Sequence, residues 1–77
     1  MTFEELKEKA KKMGYNEGEI VVNGIVWLNK NNGDFDLCFS NEGEVLLSGD
    51  EEYILAKDKT PDQMFVIMEV LQWGVEV

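Results

Sequence analysis

Turn signals that contain glycine divide the middle of the chain into short apolar segments. Asn23-Gly24 and Asn32-Gly33 are typical of two-residue hairpin turns, because both residue types tolerate the positive φ that such turns require. Asn41-Glu42-Gly43 suits a three-residue loop, and Gly49-Asp50 begins a fourth turn. The apolar residues between the turns follow the period of strands. The pattern predicts five antiparallel strands, at about residues 19–22, 25–30, 34–40, 44–48 and 52–56.

Two capping boxes flank this series of strands. At residues 2–5 and 60–63, a Thr side chain and a Glu or Gln three residues later can satisfy each other's backbone N–H groups. The first box predicts a surface helix at residues 3–13. The second predicts a helix at about residues 61–73, which is apolar around most of its circumference and should be largely buried. We therefore expect one α+β domain over residues 1–77, an antiparallel meander sheet of four to five strands with a helix at each end (α-β-β-β-β-β-α).

The turns also determine which residues face each other across the sheet. Taking 32–33 as a two-residue turn and 41–43 as a three-residue loop gives the cross-strand pairs Leu28–Leu37, Val26–Phe39 and Phe39–Val45. Because strand side chains alternate, the main core face should collect Val21, Val26, Leu28, Phe35, Leu37, Phe39, Val45, Leu47 and Ile54. The opposite face should collect Ile20, Val22, Ile25, Trp27, Cys38, Leu46, Tyr53 and Leu55, together with Asp36 and Glu44.

Both predicted faces are apolar, so each needs a covering, and the chain has two helices to supply it. In one arrangement the helices lie on opposite faces of the sheet. In the other, both helices lie on one face, and the face centred on Trp27 and Tyr53 is left for a partner or a second copy of the chain. We expect the first arrangement, in which Trp27 is a core residue rather than a binding anchor.

Charge is the property that most restricts the partners of this chain. There are 16 acidic residues against 7 Lys, with no Arg and no His, for a net charge of −9. Residues 31–56 contain no basic residue and hold seven acidic ones: Asp34, Asp36, Glu42, Glu44, Asp50, Glu51 and Glu52. Direct binding to a nucleic-acid backbone would need the opposite sign of charge. An acidic surface instead attracts basic proteins, although the same charge could serve only to keep the chain in solution.

The residue types needed for catalysis are largely missing from the sequence. Without His the chain lacks the commonest acid–base group and metal ligand, and without Arg it lacks the usual oxyanion clamp. Cys38 lies between Leu37 and Phe39 in a predicted strand, which is typical of a packed, unreactive thiol. The oxygen-rich residues 31–36 and 50–52 are better interpreted as turns than as cation sites. We expect no enzymatic activity, no metal and no cofactor.

The sequence also carries expectations about location. A single Cys residue cannot form an internal disulfide, and small secreted domains usually depend on several. No stretch approaches the length of a membrane span, and residues 1–13 lack the continuous apolar core of a signal peptide. We expect a cytoplasmic protein, located in the host cytoplasm if a phage encodes it, that does not bind a membrane.

In general format the chain resembles the small accessory proteins of phages and mobile elements. The resemblance lies in a capped, Lys- and Glu-rich first helix, a meander with Asn-Gly turns, and a large negative charge. Proteins of this kind include anti-CRISPR and anti-restriction inhibitors, and bacterial immunity proteins are similar. No motif matches a particular family. The resemblance implies a protein that binds another protein rather than a substrate.

These observations lead to one functional hypothesis and one alternative. The hypothesis is a stoichiometric inhibitor whose acidic segment at residues 31–56 imitates a phosphate backbone, or fills the nucleic-acid groove of a basic enzyme. Its partner-binding residues would be the seven acidic residues of that segment, with Trp27 and Tyr53 as aromatic anchors if they are exposed. The alternative is a structural or adaptor module of the cytoplasm that forms a homodimer through the Trp27 face or an edge strand.

Overall fold

The computed structural model describes the backbone of residues 1–19 and 21–75, together with their side chains except those of Asn32 and residues 72–75. Its elements are helix α1 (Phe3–Lys12), strands β1 (Asn16–Glu17), β2 (Trp27–Asn32), β3 (Phe35–Ser40), β4 (Val45–Ser48) and β5 (Glu52–Ala56), and helix α2 (Pro61–Val75). The strands lie in the order β1-β2-β3-β4-β5, and each pairs antiparallel with its neighbour. The predicted α+β meander with a helix at each end is confirmed.

Helix α1 begins at the predicted capping box. The Thr2 N–H donates to Glu5 Oε1 at 3.1 Å, and the Glu5 N–H donates to Thr2 Oγ1 at 3.2 Å. The helix ends at Lys12, slightly earlier than predicted. Leu6 and Ala10 of its apolar stripe are fully buried, which anchors the helix on the sheet.

The first strand is displaced from its predicted position at residues 19–22. Strand β1 instead pairs with the middle of β2 through Asn16 and Glu17. The Nζ of Lys7 lies 3.0 Å from Glu17 Oε1, so an ion pair holds this strand against α1 immediately after the helix ends. Ile20, which belongs to the predicted strand, lies outside the described residues.

The predicted Asn23-Gly24 turn nevertheless forms. Its two residues have φ values of 54° and 75°, as a type I′ turn requires. The Ile25 N–H donates to the Val22 carbonyl at 3.0 Å, and nearer the sheet the Gly18 N–H donates to the Trp27 carbonyl at 2.8 Å. Between these two bonds one arm of the hairpin has three residues, 19–21, and the other has one, Val26. One regular ladder therefore cannot run from the turn to β1, which is why the predicted strand is not the paired one.

The turn between β2 and β3 lies one residue later than predicted. It consists of Gly33-Asp34, and the φ of 72° at the glycine suits the first position of a type II′ turn. Phe39 consequently faces Leu28 rather than Val26, and the predicted pair Leu28–Leu37 is wrong for the same reason. Because every partner shifts by two residues, the side chains remain on their predicted faces.

The loop between β3 and β4 is as predicted. Phe39 pairs with Val45, and the Ser40 N–H donates to the Glu44 carbonyl at 3.0 Å, which closes a three-residue loop. Gly43 occupies the last position of this loop with a φ of 87°, a conformation that glycine adopts without strain. The register between β3 and β4 is therefore as the turn residues predicted.

The register between β4 and β5 differs from the prediction. Leu47 pairs with Tyr53 and Leu46 pairs with Ile54, so Tyr53 lies on the core side of the sheet and Ile54 on the other side. The opposite faces were predicted for these two residues. Three residues, 49–51, separate the two strands, and a difference of one residue in register exchanges the faces of a whole strand.

Both helices pack on the same face of the sheet, so the expected arrangement with one helix on each face is wrong. A single buried cluster contains residues of both helices and of the three central strands, together with Tyr15 from the segment before β1: Leu6, Ala10, Tyr15, Leu28, Leu37, Phe39, Val45, Met64 and Met68. The other face, called the outer face here, includes the polar residues Asn29, Asn31, Asp36, Ser48 and Glu52. Such side chains would lose their hydration under a helix. Of the predicted core face, Val21, Phe35 and Ile54 are exposed.

Helix α2 begins at the second predicted capping box but is less buried than predicted. The Thr60 N–H donates to Gln63 Oε1 at 3.0 Å, and the Gln63 N–H donates to Thr60 Oγ1 at 3.2 Å. Only one side of the helix faces the sheet, so Val66 and Val70 are exposed. The side chain of Trp73, which belongs to the predicted helix, lies outside the described residues.

We expect Leu37→Ala to lower the free energy of unfolding by about 2–5 kcal/mol, because it removes a large aliphatic side chain from the buried cluster. Val21→Ala is a suitable control, since Val21 is exposed and its truncation should cost less than about 0.5 kcal/mol. Denaturant unfolding of the two variants and the wild type measures both values. Equal losses for Leu37 and Val21 would contradict the described core.

Tyr15 makes stability depend on pH in the alkaline range. Burial raises the pKa of Tyr15 from its ordinary value of 10.0 to about 12. The folded chain therefore favours the neutral phenol, and this contribution is complete below pH 10 and is lost as the pH rises towards 12. We expect the free energy of unfolding to fall across this window, and to fall less for Tyr15→Phe. Parallel curves for the two proteins would show that Tyr15 is not buried as described.

Candidate functional site

Two hairpin turns meet at one end of the sheet. In a meander, alternate turns lie at the same end, so the β2–β3 turn at residues 33–34 is adjacent to the β4–β5 turn at residues 49–51. The contact is close: a Cβ added to Gly49 would lie 2.8 Å from Phe35 Cδ1 and 3.1 Å from the Asp34 carbonyl oxygen. The two turns carry three carboxylates, those of Asp34, Asp50 and Glu51. We refer to these three residues, with Phe35 and Tyr53, as the acidic end.

The acidic end forms an open cleft of about 580 Å³, lined by Asp34, Phe35, Asp50, Glu51 and Tyr53. Both rings are accessible, since Phe35 is 37% exposed and Tyr53 is 49% exposed. The Tyr53 hydroxyl donates to Glu51 Oε2 at 2.7 Å. This hydrogen bond to a carboxylate raises the pKa of Tyr53 above its usual range, with a smaller contribution from burial. The cleft therefore combines negative charge with apolar ring surface.

Asp36 and Glu52 lie beside the acidic end, in one row on the outer face. Asp36 pairs with Ser48 in β4, and Ser48 pairs with Glu52 in β5. Asn31 Nδ2 donates to Asp36 Oδ1 at 2.9 Å, which holds this carboxylate in place. Five of the seven predicted acidic residues are thus at or near one end of the sheet.

Cys38 lies next to this row in the middle of β3. Burial raises the pKa of the Cys38 thiol, and the carboxylates of Asp36 and Glu52 raise it further. Its Sγ lies 3.8 Å from the Asp36 carbonyl oxygen, its one hydrogen-bond acceptor among the described residues. These surroundings favour the neutral thiol over the nucleophilic thiolate.

Glu42 and Glu44 lie at the opposite end of the sheet and do not join the other five acidic residues. They belong to the β3–β4 loop, where the backbone N–H groups of both residues donate to Ser40 Oγ at 3.2 and 3.1 Å. Because consecutive turns of a meander alternate between its ends, residues 31–56 cannot present all their charges on one surface. The predicted acidic segment is therefore divided between two sites.

Trp27 and Tyr53 do not share a face, as the second of the two arrangements would require. Trp27 lies half-buried on the outer face, where it lines a cleft of about 490 Å³ with Gly18, Glu19 and Asn29. Tyr53 lies on the core side at the acidic end. Trp27 also starts β2 and so lies at the end opposite the Gly33-Asp34 turn. Of the two proposed anchors, only Tyr53 accompanies the larger group of acidic residues.

Phe35 is the residue of the acidic end that the sequence analysis missed as a functional candidate. Its alternation in β3 placed it on the core face, but it is 37% exposed and does not belong to the buried cluster that contains residues of both helices. Its position directly after a hairpin turn was the available signal. Residues near the end of a sheet often remain exposed, because the helices cover mainly its centre.

The hydrogen bond between Tyr53 and Glu51 gives a direct test of the site geometry. In a Tyr15→Phe background, Tyr53 is the one tyrosine left, and its ionisation can be followed by ultraviolet absorbance. We expect Glu51→Gln to lower the pKa of Tyr53, because an amide replaces the carboxylate that stabilises the phenol. Glu52→Gln, which removes a neighbouring charge on the other face, should change it less. Equal shifts would mean that the described hydrogen bond does not form.

Within residues 1–19 and 21–75 no helix is both long and apolar enough to cross a membrane. The same residues contain no group of three or more Cys, Asp and Glu side chains arranged to hold a metal ion.

Comparison of the chain with protein-family models, with curated proteins and with solved structures found no match. Its function must therefore be inferred from its own residues.

Proposed function

We propose that this chain is a non-enzymatic binding protein that uses its acidic end to hold the basic surface of a protein partner. The observation that carries the proposal is the meeting of the two turns, which places three carboxylates around two exposed aromatic rings. The most fitting partner is a nucleic-acid-processing enzyme, whose substrate groove is basic, and the expected effect is stoichiometric inhibition.

The acidic end carries charge of one sign only. Residues 31–56, which supply all of its side chains, include no Lys or Arg that could neutralise the carboxylates internally. Asp36 and Glu52 extend the same sign of charge onto the adjacent outer face. A surface of this kind accelerates the approach of a basic partner and excludes acidic ones.

The two aromatic rings supply affinity that the carboxylates alone cannot. Surface ion pairs between exposed side chains contribute little affinity, because both partners lose hydration and side-chain freedom. Exposed aromatic side chains are typical interface anchors, and a cation can also lie over their ring faces. Phe35 and Tyr53 are placed to contact the aliphatic stems and charged heads of Lys and Arg side chains.

The site is also held in place before any partner arrives. Short turns at residues 33–34 and 49–51 connect paired strands, and the Tyr53–Glu51 hydrogen bond restrains two of the five side chains. A preformed site loses less conformational entropy on binding. This supports an inhibitor that competes with nucleic acid by presenting carboxylates where the enzyme binds phosphates.

The test compares two variants that remove equal charge from opposite ends of the sheet. Asp34→Asn with Asp50→Asn changes the acidic end, and Glu42→Gln with Glu44→Gln changes the other end. Each protein is immobilised, and proteins captured from a nuclease-treated bacterial lysate are identified by mass spectrometry. We expect the wild type and the Glu42/Glu44 variant to capture the same basic protein, and the Asp34/Asp50 variant to lose it.

Two further measurements on the captured complex distinguish the proposal from simple charge attraction. Added duplex DNA should displace the partner, because both bind one groove. Association should slow as salt rises from about 0.05 to 0.5 M, with a salt-resistant remainder that Tyr53→Ala removes. Capture of a neutral or acidic partner without salt dependence, or equal loss in both charge variants, would contradict the proposal.

A further inference from the structure

Two Asn-Gly dipeptides, at residues 23–24 and 32–33, carry a chemistry that the proposed binding function does not use. The side chain of an Asn that precedes Gly can close a ring on the next backbone nitrogen, because glycine has no side chain to shield that nitrogen. Every other Asn of the chain is followed by a larger residue. The structure holds the two dipeptides differently, and this difference decides which of them reacts first.

The dipeptide Asn23-Gly24 forms the centre of an exposed hairpin turn. Both residues have positive φ and both are exposed. A Cβ added to Gly24 would meet no atom within 4 Å, so the surroundings of this residue are open to solvent. The bond from the Ile25 N–H to the Val22 carbonyl belongs to an isolated bridge and not to a ladder. Opening the turn therefore breaks a single backbone pair.

Contacts with Asn41 also hold this turn. Asn41 Nδ2 donates to the Gly24 carbonyl at 3.0 Å, and the Val26 N–H donates to Asn41 Oδ1 at 3.1 Å. Both side-chain bonds are exposed, so water can replace them when the turn opens. The Asn41 N–H donates to the Val26 carbonyl at 3.1 Å, a bond that does not involve the turn residues. The turn can thus open without a change in the sheet.

The sheet itself holds the backbone at Asn32-Gly33. Asn32 is the last residue of β2 and pairs with Phe35, at the end of a ladder of six consecutive residue pairs. It precedes the two-residue turn at 33–34 and does not belong to it. Rotation of the Asn32 backbone therefore pulls the end of β2 away from β3. Paired residues within a sheet open less often than residues in an exposed turn.

We propose that Asn23 is the deamidation site of this chain and that it reacts before Asn32, because its backbone opens more easily. The side-chain Cγ must meet the nitrogen of the next residue, which requires rotation about the Cα–C bond of the Asn. Hydroxide removes the proton of the Gly24 N–H, and the nitrogen attacks Cγ of Asn23. The N–Cγ bond forms and the Cγ–Nδ2 bond breaks. Nδ2 takes a proton from water and leaves as ammonia, and the product is a cyclic imide.

Water then opens the imide by one of two routes. Attack at Cγ breaks the new N–Cγ bond and leaves aspartate at position 23. Attack at the main-chain carbonyl carbon breaks the original peptide bond, so that the chain continues through the side chain as isoaspartate. Either product carries one carboxylate in place of the amide of Asn23, and water is the only reactant consumed.

The two products have different effects on the turn. Aspartate tolerates the positive φ of 54° at position 23 about as well as Asn does, so the turn persists. Isoaspartate lengthens the backbone by a methylene group and moves the Gly24 carbonyl away from Asn41 Nδ2. Residues 19–26 then lose this attachment. They lie at the end of the sheet opposite the acidic end, so the inference does not depend on the proposed function.

Peptide mapping of protein aged in mildly alkaline buffer tests the site. Cleavage after lysine separates the two Asn-Gly dipeptides, because Lys30 lies between them. Mass spectrometry measures the conversion of each dipeptide, and water enriched in heavy oxygen marks the carboxylates that form during ageing. We expect Asn23 to convert about tenfold faster than Asn32 in the folded chain. Conversion of Asn32 at the same rate or faster would overturn the inference.

Ageing in urea separates the effect of the fold from that of the neighbouring residues. Both backbones are then free, so the difference between the two sites should largely disappear. A rate ratio that urea leaves unchanged would contradict the inference. In the folded chain, Asn41→Ala should accelerate conversion at Asn23 and leave Asn32 unchanged, and circular dichroism confirms that this variant is folded. Equal rates at Asn23 in the variant and the wild type would contradict the role given to Asn41.

Hydrogen exchange distinguishes the two products. The isoaspartate form is separated from the aged protein by chromatography, and Asn23→Asp serves as the matched control with the same charge. We expect amide exchange in residues 19–26 to be faster in the isoaspartate form than in Asn23→Asp, because only the former displaces the Gly24 carbonyl. Equal exchange in the two proteins would contradict the described loss of the contact with Asn41.

Discussion

Leu28, Phe39 and Val45 form one row across the three central strands, and all three are fully buried. Tyr15 packs edge-on against the middle of this row, with its ring centre 5.6 Å from that of Phe39. The buried residues of both helices belong to the same cluster as this row. The chain has 77 residues, enough for one such core, and the outer face carries polar side chains such as Asn29, Asn31 and Asp36 between its apolar ones. The helices consequently share one face of the sheet.

The parts of this fold that could be predicted are those with local causes. The capping boxes, the Asn23-Gly24 turn and the loop before Val45 each depend on a few neighbouring residues. The register errors show where local information ends. Asn32-Gly33 and Gly33-Asp34 are both acceptable turns, and because both keep every side chain on the same face of the sheet, the apolar pattern does not choose between them. At β5 the error was a single residue, and the faces of Tyr53 and Ile54 were exchanged.

The candidate site, like the fold, could be predicted from the sequence only in part. Its carboxylates are evident in a sequence with seven acidic and no basic residues between positions 31 and 56. Their separation into two groups is not evident, because residues close in sequence, such as Asp34 and Glu42, lie at opposite ends of the sheet when they belong to consecutive turns of a meander. The role of Phe35 depends on how far the helices reach along β3. The reach of the helices is set by how the whole core packs, so it cannot be predicted from any single segment of the sequence.

The pairing of every strand with its neighbour in sequence also bears on how the chain reaches this structure. The hairpins β2–β3, β3–β4 and β4–β5 each close a loop of two to four residues, so their entropic cost of closure is small, whereas nine residues, 18–26, separate β1 from β2. The contact between α1 and α2 is different, since it joins the two ends of the described chain. Low average sequence separation favours rapid folding. The hairpins around Phe39 close the shortest loops, so we expect them to form before the two helices dock on the row of Leu28, Phe39 and Val45.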